Sequence, residues 1–168
     1  FPDFLNKTFK IDSDRTDKDL DIGTRLGCAE MMRGGTTTFV DLYYSEDVIA
    51  KATLDAGIRG VLCWCTLDEQ FTTQKGNPVD NAKRFYEAHK NLRKIVPGIG
   101  LQGVYVCGEE TCQRASEFSK EKDIPLNMHL SETRGEVNDH KRDTGLRPVE
   151  WLNKIGVLHE NFVTAHSA

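Results

Sequence analysis

Three side chains near the carboxyl end of the sequence have the types and spacing that hydrolytic chemistry requires. The stretch LNMHLSETR (126–134) places His129 after an apolar run and Glu132 three residues later, and His166 closes the next apolar run. A neutral imidazole can bind zinc, and a carboxylate beside an activated water can accept its proton and pass it to a leaving group. Histidines at strand ends are also often held by a loop hydrogen bond, and His-x-x-Glu arises by chance. Spacing alone therefore leaves two interpretations, a metal-dependent site and a structural pair.

Other polar side chains offer weaker candidates. Arg134 and Arg147 flank a polar helix start, where a guanidinium can bind a substrate carboxylate or remain a solvated surface cation. Asp41 interrupts an apolar strand and fits either a buried hydrogen-bonding role or a place at the rim of a site. The remaining histidines lie in charged surroundings and are predicted to be at the surface: His89, His140 and His159. No serine or cysteine stands in a nucleophile-elbow context.

The elements that would position these residues follow a repeated order of helix, glycine, short apolar strand and polar loop. The predicted strands are five apolar runs, at 36–44, 58–65, 98–106, 124–130 and 161–166. The predicted helices run from Thr16 to Gly34, from Ser45 to Gly57, and at 79–95, 110–122 and 148–154. Continuous apolar runs, rather than alternating ones, are typical of strands covered on both faces. The sequence therefore predicts an α/β fold with a parallel sheet.

Such a sheet can be an open doubly wound sheet or a barrel. No Gly-x-Gly-x-x-Gly follows the first strand, and Gly98-Ile99-Gly100 precedes its strand rather than opening a helix, so a dinucleotide site is not expected. His129, Glu132 and His166 fall at the carboxyl ends of two successive strands. In a (β/α)8 barrel that rim carries the catalytic groups, so their placement favours the barrel.

Composition argues against several other classes of protein. The 168 residues suffice for one domain with a sizeable core, and the net charge of −4 argues against nucleic acid or an anionic membrane as a partner. No apolar run approaches the roughly 20 residues that span a bilayer, and no secretory leader is recognisable. Five cysteines, mostly in apolar surroundings, indicate a reducing cytoplasm. Cys63-x-Cys65 fits a buried strand better than a metal site, because no second pair accompanies it.

Four stretches together resemble the amidohydrolase superfamily, within it the cytosine-deaminase-related branch of 5-methylthioadenosine/S-adenosylhomocysteine deaminases and s-triazine chlorohydrolases. In chain order they are GCAEMMRGGTTTFVDLYY, NMHLSETRGEV, TGLRPVEWLNKIGVL and NFVTAHS. The resemblance implies a (β/α)8 TIM-type barrel, a small-molecule substrate and one divalent metal, zinc or iron. It also implies that His129 is the metal ligand after strand 5, that Glu132 is the proton shuttle, and that His166 positions the attacking water.

The resemblance also bears on the substrate. Members of the family often have HAPYTC after strand 4, where this sequence has QGVYVC, so Gln102 stands where a substrate-contacting histidine is expected. Gln102 thus joins Arg134 and Arg147 as a candidate substrate contact. The implied reaction is hydrolytic deamination of an aromatic N-heterocycle such as methylthioadenosine or S-adenosylhomocysteine. The alternatives are reactions of the s-triazine chlorohydrolase type or the guanine deaminase type.

Two departures from the family pattern concern the metal ligands. The sequence contains no His-x-His, and no strand 8 aspartate follows His166. We therefore expect residues 1–168 to be a central fragment, about strands 2–6, of a longer metal-dependent hydrolase. The chain alone is then expected to bind the metal weakly or not at all, as an inactive scaffold. A non-enzymatic small-molecule-binding module is a third hypothesis. An incomplete barrel would expose edges near Thr38 and Val163 that drive self-association.

Overall fold

Five parallel strands in the order β1-β2-β3-β4-β5 form the centre of the computed structural model, which describes residues 7–8, 11–12 and 14–167. The strands are β1 (Thr38–Tyr43), β2 (Arg59–Thr66), β3 (Ile95–Leu101), β4 (Leu126–Leu130) and β5 (Phe162–His166). The helices are α1 (Asp17–Arg33), α2 (Glu46–Ala56), α3 (Pro78–His89), α4 (Glu109–Lys122), α5 (Arg134–Thr144) and α6 (Pro148–Lys154), with a 3-10 turn at Glu69–Phe71. The sheet curls into a half-barrel, which confirms the predicted α/β partial barrel.

The first helix begins where the sequence predicts. The Thr16 hydroxyl accepts the Asp19 N–H at 3.3 Å, and the Asp19 carboxylate accepts the Thr16 N–H at 2.9 Å. This capping box satisfies two N–H groups that a helix start leaves free. Ser45 does not open α2 in the same way, because its side chain makes no capping hydrogen bond and its backbone adopts φ 63°. Helix α2 begins one residue later, at Glu46.

The prediction for the third strand is wrong at both ends. The sequence pattern predicts a helix at 79–95 and a strand at 98–106, whereas α3 ends at His89 and β3 spans Ile95–Leu101. Pro97 and Gly98, which resemble a helix stop, lie inside the strand.

Proline is tolerated inside β3 because of where β4 begins. Pairing between the two strands starts at Ile99 opposite Leu126, and the Ile99 N–H donates to the Pro125 carbonyl at 3.0 Å. Pro97 lies two residues earlier and its nitrogen points to the same side, before β4 begins to pair. The missing N–H of Pro97 therefore removes no hydrogen bond between these strands.

Helix α5 is absent from the predicted elements. None of its residues is buried, so it has no apolar periodicity by which a helix is recognised. Local hydrogen bonds set its limits instead. The Thr133 hydroxyl accepts the Glu136 N–H at the start, and Gly145 ends the helix at φ 79°.

The two faces of the sheet are packed differently. Leu62 and Trp64 of β2 are buried on the outer face, where the Trp64 ring lies 5.8 Å from the ring of Phe85 in α3. Cys63 and Cys65 alternate with them and face the concave side. Both are buried free thiols, which confirms that the pair lies along one face of a buried strand.

The edges and the concave face leave apolar surface exposed. Strands β1 and β5 are the two edges of the sheet, as predicted near Thr38 and Val163. Val40 pairs with Val61, and Val61 pairs with Val96, so the three valines form a row across three strands on the concave face. Within the described residues, no helix is long and apolar enough to cross a membrane.

Replacement of Gly98 by alanine is expected to destabilise the fold. A methyl group there would come within 2.7 Å of Cys63 Sγ and 2.8 Å of the Pro125 carbonyl oxygen, which pairs with β3. We expect a loss of roughly 1–3 kcal/mol in the free energy of unfolding, measured by urea titration. Gly27→Ala is the control, because Gly27 lies in α1 with nothing within 4 Å of the added methyl. That change should stabilise by about 0.5–1 kcal/mol, and equal effects of both substitutions would contradict the prediction.

Candidate active site

Two histidine rings meet at the carboxyl ends of β4 and β5. The strands pair in parallel, with His129 opposite Ala165 and Leu130 opposite His166. The two imidazole rings stack with their centroids 5.6 Å apart and an angle of 23° between their planes. His129 is half-buried, whereas 42% of the His166 side chain is exposed. The parallel register thus brings the two histidines to one rim, with His166 on the solvent side.

A backbone carbonyl fixes the orientation and the tautomer of His129. Its Nδ1 lies 3.1 Å from the carbonyl oxygen of Gln102, the residue that follows β3. A carbonyl oxygen only accepts hydrogen bonds, so Nδ1 carries the proton and Nε2 keeps its lone pair in the neutral ring. An imidazole held in this way by a backbone carbonyl presents Nε2 as a metal ligand.

The Glu132 carboxylate reaches toward His166 from the loop after β4. Its Oε1 lies 3.6 Å from His166 Nε2, and 24% of the Glu132 side chain is exposed. That separation is longer than a direct hydrogen bond, so the two groups are close without being joined. His166 has φ 75°, and the Ser167 N–H donates to the Leu130 carbonyl at 2.9 Å, which turns the chain back over β4. Glu132 and the two histidines therefore share one rim.

A second carboxylate holds the loop that carries Glu132. Glu136 accepts the N–H of Ser131 through Oε1 at 3.1 Å and the N–H of Glu132 through Oε2 at 2.8 Å. The N–H of Glu136 donates to the hydroxyl of Thr133 at 3.1 Å. The first turn of α5 is thereby tied to the end of β4.

The side chain of Gln102 lies in a small polar network beside His129. Its Oε1 is 3.4 Å from the Cys65 thiol, which donates, and its Nε2 donates to the Tyr105 hydroxyl at 3.2 Å. Burial raises the pKa of Tyr105 to about 12, despite the hydrogen bond from Gln102. The phenol is therefore neutral near pH 7, and its O–H remains a donor.

The donor set at this rim fits part of a metal site. His129 offers one nitrogen with its lone pair free, and Glu132 and His166 lie beside it. Across residues 7–8, 11–12 and 14–167, however, no group of three or more His, Cys, Asp or Glu side chains is arranged to hold a metal ion. A catalytic zinc generally has about three protein ligands, so the described residues supply a fraction of such a set.

The sequence model of the amidohydrolase family matches residues 3–168. This chain belongs to the amidohydrolase family. It is 38% identical over 149 residues to the 5-methylthioadenosine/S-adenosylhomocysteine deaminase of Thermodesulfovibrio yellowstonii, covering 86% of this chain and 34% of that one. It is 34% identical over 165 residues to the 5'-deoxyadenosine deaminase of Methanothrix thermoacetophila, covering 98% and 39%.

A solved structure agrees with the fold of this amidohydrolase chain. The atrazine chlorohydrolase of Arthrobacter aurescens, complexed with zinc, superimposes with a TM-score of 0.85 at 17% identity, over 99% of this chain and 42% of that one. These findings confirm the predicted superfamily and the branch with deaminase and chlorohydrolase members. The chain spans 34–39% of the length of the two deaminases compared here.

The two arginines predicted to contact a substrate lie at the starts of the two helices after β4. Arg134 is the first residue of α5, and Arg147 immediately precedes α6. Both side chains are exposed. Among the described residues, no hydrogen bond or ion pair links either guanidinium to the rim, so their substrate-binding role stays a prediction. Asp41 faces α1 from the outer side of β1, where burial raises its pKa.

The other three histidines, predicted to be at the surface, are partly covered rather than fully exposed. Each is half-buried against an aromatic ring: His89 against Phe85, His140 against Trp151, and His159 against Phe162. Burial lowers the pKa of both His140 and His159. Their rings contribute to packing, because each imidazole lies against an aromatic side chain.

The sequence interpretation did not single out Glu136 or Tyr105, and it placed Cys65 only in a buried strand. Thr133 and Glu136 have the spacing of a capping box, which was the signal available for Glu136. Tyr105 and Cys65 had no local signal, since each meets Gln102 through the curl of the sheet.

The two tautomers in this structure can be distinguished by nitrogen NMR. His129 should carry its proton on Nδ1, because that atom faces a carbonyl. His159 is an internal control with the opposite tautomer, because its Nδ1 accepts the Asn161 N–H at 3.3 Å. Long-range ¹⁵N–¹H correlations at a pH where both rings are neutral should show opposite patterns. An Nε2-protonated ring at His129 would contradict the arrangement.

Proposed function

We propose that these residues form the central part of the active-site rim of a metal-dependent aminohydrolase that deaminates an adenosine-like heterocycle. The observation that carries the proposal is His129, whose Nδ1 is held by the Gln102 carbonyl and whose Nε2 is free, beside Glu132 and His166. Two relatives named as deaminases of adenosine derivatives, at 34–38% identity, support this substrate class. Methylthioadenosine, S-adenosylhomocysteine and 5'-deoxyadenosine are the substrates to test first.

The chain itself corresponds, in this proposal, to the middle of a longer barrel. Residues 1–168 align with 34–39% of each deaminase. We assign the five strands to strands 2–6 of that barrel, as the resemblance implies. Both β1 and β5 have an unpaired edge within the described residues, which supports this assignment. Five free, buried cysteines favour a reducing compartment, the cytoplasm.

In this proposal, His129 holds a divalent metal, and the remaining ligands come from strands other than β1–β5. Zinc is the expected ion, since the chlorohydrolase with this fold is complexed with zinc. Such an ion supplies a Lewis acid that activates water near neutral pH. The hydrogen bond from Nδ1 to the Gln102 carbonyl would fix His129 for that purpose and raise its basicity.

Glu132 transfers the proton in this proposal, and His166 hydrogen-bonds the reacting oxygen. When water attacks the ring carbon that bears the amino group, a C–O bond forms and the C–N bond breaks. Glu132 accepts the proton from water and delivers it to the departing nitrogen, which leaves as ammonia. His166 lies 3.6 Å from the Glu132 carboxylate and can hydrogen-bond the attacking water or the oxygen formed from it. Gln102, Arg134 and Arg147 would bind the rest of the substrate.

Replacement of Glu132 by glutamine tests the proposed reaction in the full-length protein that contains these residues. The amide keeps the size of the side chain but cannot accept a proton, so turnover should fall by about 10²–10⁴-fold. Metal content measured by atomic absorption should stay unchanged, because Glu132 acts as a shuttle in this proposal. Asp139→Asn on the exposed face of α5 is the control and should retain activity. Turnover unchanged in Glu132→Gln would remove the residue from the mechanism.

The exposed apolar surface supports a proposal that this chain associates with itself. Val40 and Val96 are 51% and 46% exposed, and they lie with Val61 in the row across the concave face. Strands β1 and β5 each leave one edge unpaired among the described residues. Strand edges and apolar sheet faces are the surfaces through which an incomplete sheet pairs with another chain.

Val96→Lys tests that association by sedimentation. Val96 is 46% exposed on the concave row, and the matched control Val149 is 45% exposed at the start of α6. The wild-type chain should gain mass with increasing concentration. Val96→Lys should weaken association by roughly tenfold, because an ammonium group would be buried in the contact, while Val149→Lys should behave as wild type. A stable wild-type monomer at high concentration would contradict the proposal.

A further inference from the structure

The Glu136 carboxylate makes a contact that differs from an ordinary helix cap. In a capping box the acid of the first turn accepts the N–H of the capping residue itself, as Asp19 does with Thr16 at 2.9 Å. In α5 the capping residue is Thr133, yet the Glu136 oxygens reach past it to the N–H groups of Ser131 and Glu132, at 3.1 and 2.8 Å. The acid therefore holds the loop before the helix rather than the helix start.

The loop that Glu136 holds is strained. Ser131 has φ 53°, a left-handed conformation that costs a residue with a Cβ free energy. Such a conformation persists only where surrounding contacts determine it. Two hydrogen bonds to one ionised carboxylate are strong and directional, and they fix the peptide planes on both sides of the Ser131 Cα. They fix in turn the point from which the Glu132 side chain leaves the backbone.

We propose that Glu136 is the positioning residue for Glu132, the group that holds the proton-shuttle carboxylate at its place beside His166. This inference rests on the proposed function, because positioning by Glu136 affects turnover only if Glu132 transfers a proton. Without Glu136 the loop can relax at Ser131, and the Glu132 carboxylate then leaves its position 3.6 Å from His166. Displacement of a reacting group by about 1 Å can cost on the order of 10²-fold in rate.

Hydrogen exchange of the backbone amides in this chain tests whether Glu136 holds the loop, and it requires no enzymatic activity. Glu136→Ala should raise the exchange rates of the Ser131 and Glu132 amides by about 10–100-fold, the effect of losing a charge-assisted hydrogen bond. The matched control is Asp19→Ala, which should raise exchange at Thr16 and leave Ser131 unchanged. Glu136→Gln retains one acceptor oxygen and should give an intermediate rate. Unchanged exchange at both amides in Glu136→Ala would overturn the proposal.

Kinetics in the full-length protein separates positioning from support of the fold. Glu136→Ala should lower kcat by about 10–100-fold, with KM, metal content and thermal midpoint close to wild type, and Glu136→Gln should recover part of kcat. Should the alanine variant fail to fold, the glutamine variant carries the same comparison. Unchanged kcat in the presence of accelerated exchange would overturn the positioning role. Full activity of Glu132→Gln would instead overturn the proposed function. The exchange result for the hydrogen bonds of Glu136 would still stand.

Discussion

Parallel pairing of β3, β4 and β5 is the constraint on which the candidate site depends. Because the three strands run in one direction, their carboxyl ends lie at one edge, and side chains far apart in sequence meet there. The register sets His129 opposite Ala165 and Leu130 opposite His166, and the left-handed backbone of His166 (φ 75°) lets its ring stack on that of His129. A shift by one residue would turn His129 into the helical layer, since successive side chains point to opposite faces.

Backbone hydrogen bonds at the strand ends link neighbouring strands and orient His129. The Gln102 N–H donates to the Thr66 carbonyl at the end of β2, and the Gln102 carbonyl accepts from His129 at the end of β4. One residue thus links three neighbouring strand ends through its main chain alone. The arrangement is independent of which side chain occupies position 102. A substitution of Gln102 that leaves the main chain in place would therefore keep the hydrogen bond that orients His129.

The parts of this structure that sequence reasoning predicted are those with an apolar period or a local cap. Helix α1 is recognisable from the cap at Thr16, and β4 and β5 are recognisable from the apolar runs that contain them. Helix α5 buries no residue, so periodicity could not find it. The limits of β3 depend on where β4 begins. The residues near Pro97 in the sequence carry no information about that position. Distant contacts such as that between Cys65 and Gln102 are likewise set by the curl of the sheet.

The same structural solution recurs at two strand–helix junctions. A serine in the left-handed conformation follows each strand, Ser45 at φ 63° and Ser131 at φ 53°. A nearby glutamate accepts backbone hydrogen bonds, one at Glu46 and two at Glu136. Glu46 accepts the N–H of Tyr43 at 3.2 Å in a completely buried position, where burial raises its pKa well above the usual range. The pKa of Glu46 is therefore higher in the folded chain than in the unfolded chain. Its contribution to stability is present below the unfolded pKa and is lost as the pH rises through the folded pKa. Glu136 does the equivalent at a half-buried position open to water, where an ionised carboxylate costs less to keep. The carboxylate that holds the loop of Glu132 thus lies at the wetter of the two junctions, and the fully buried carboxylate lies after β1.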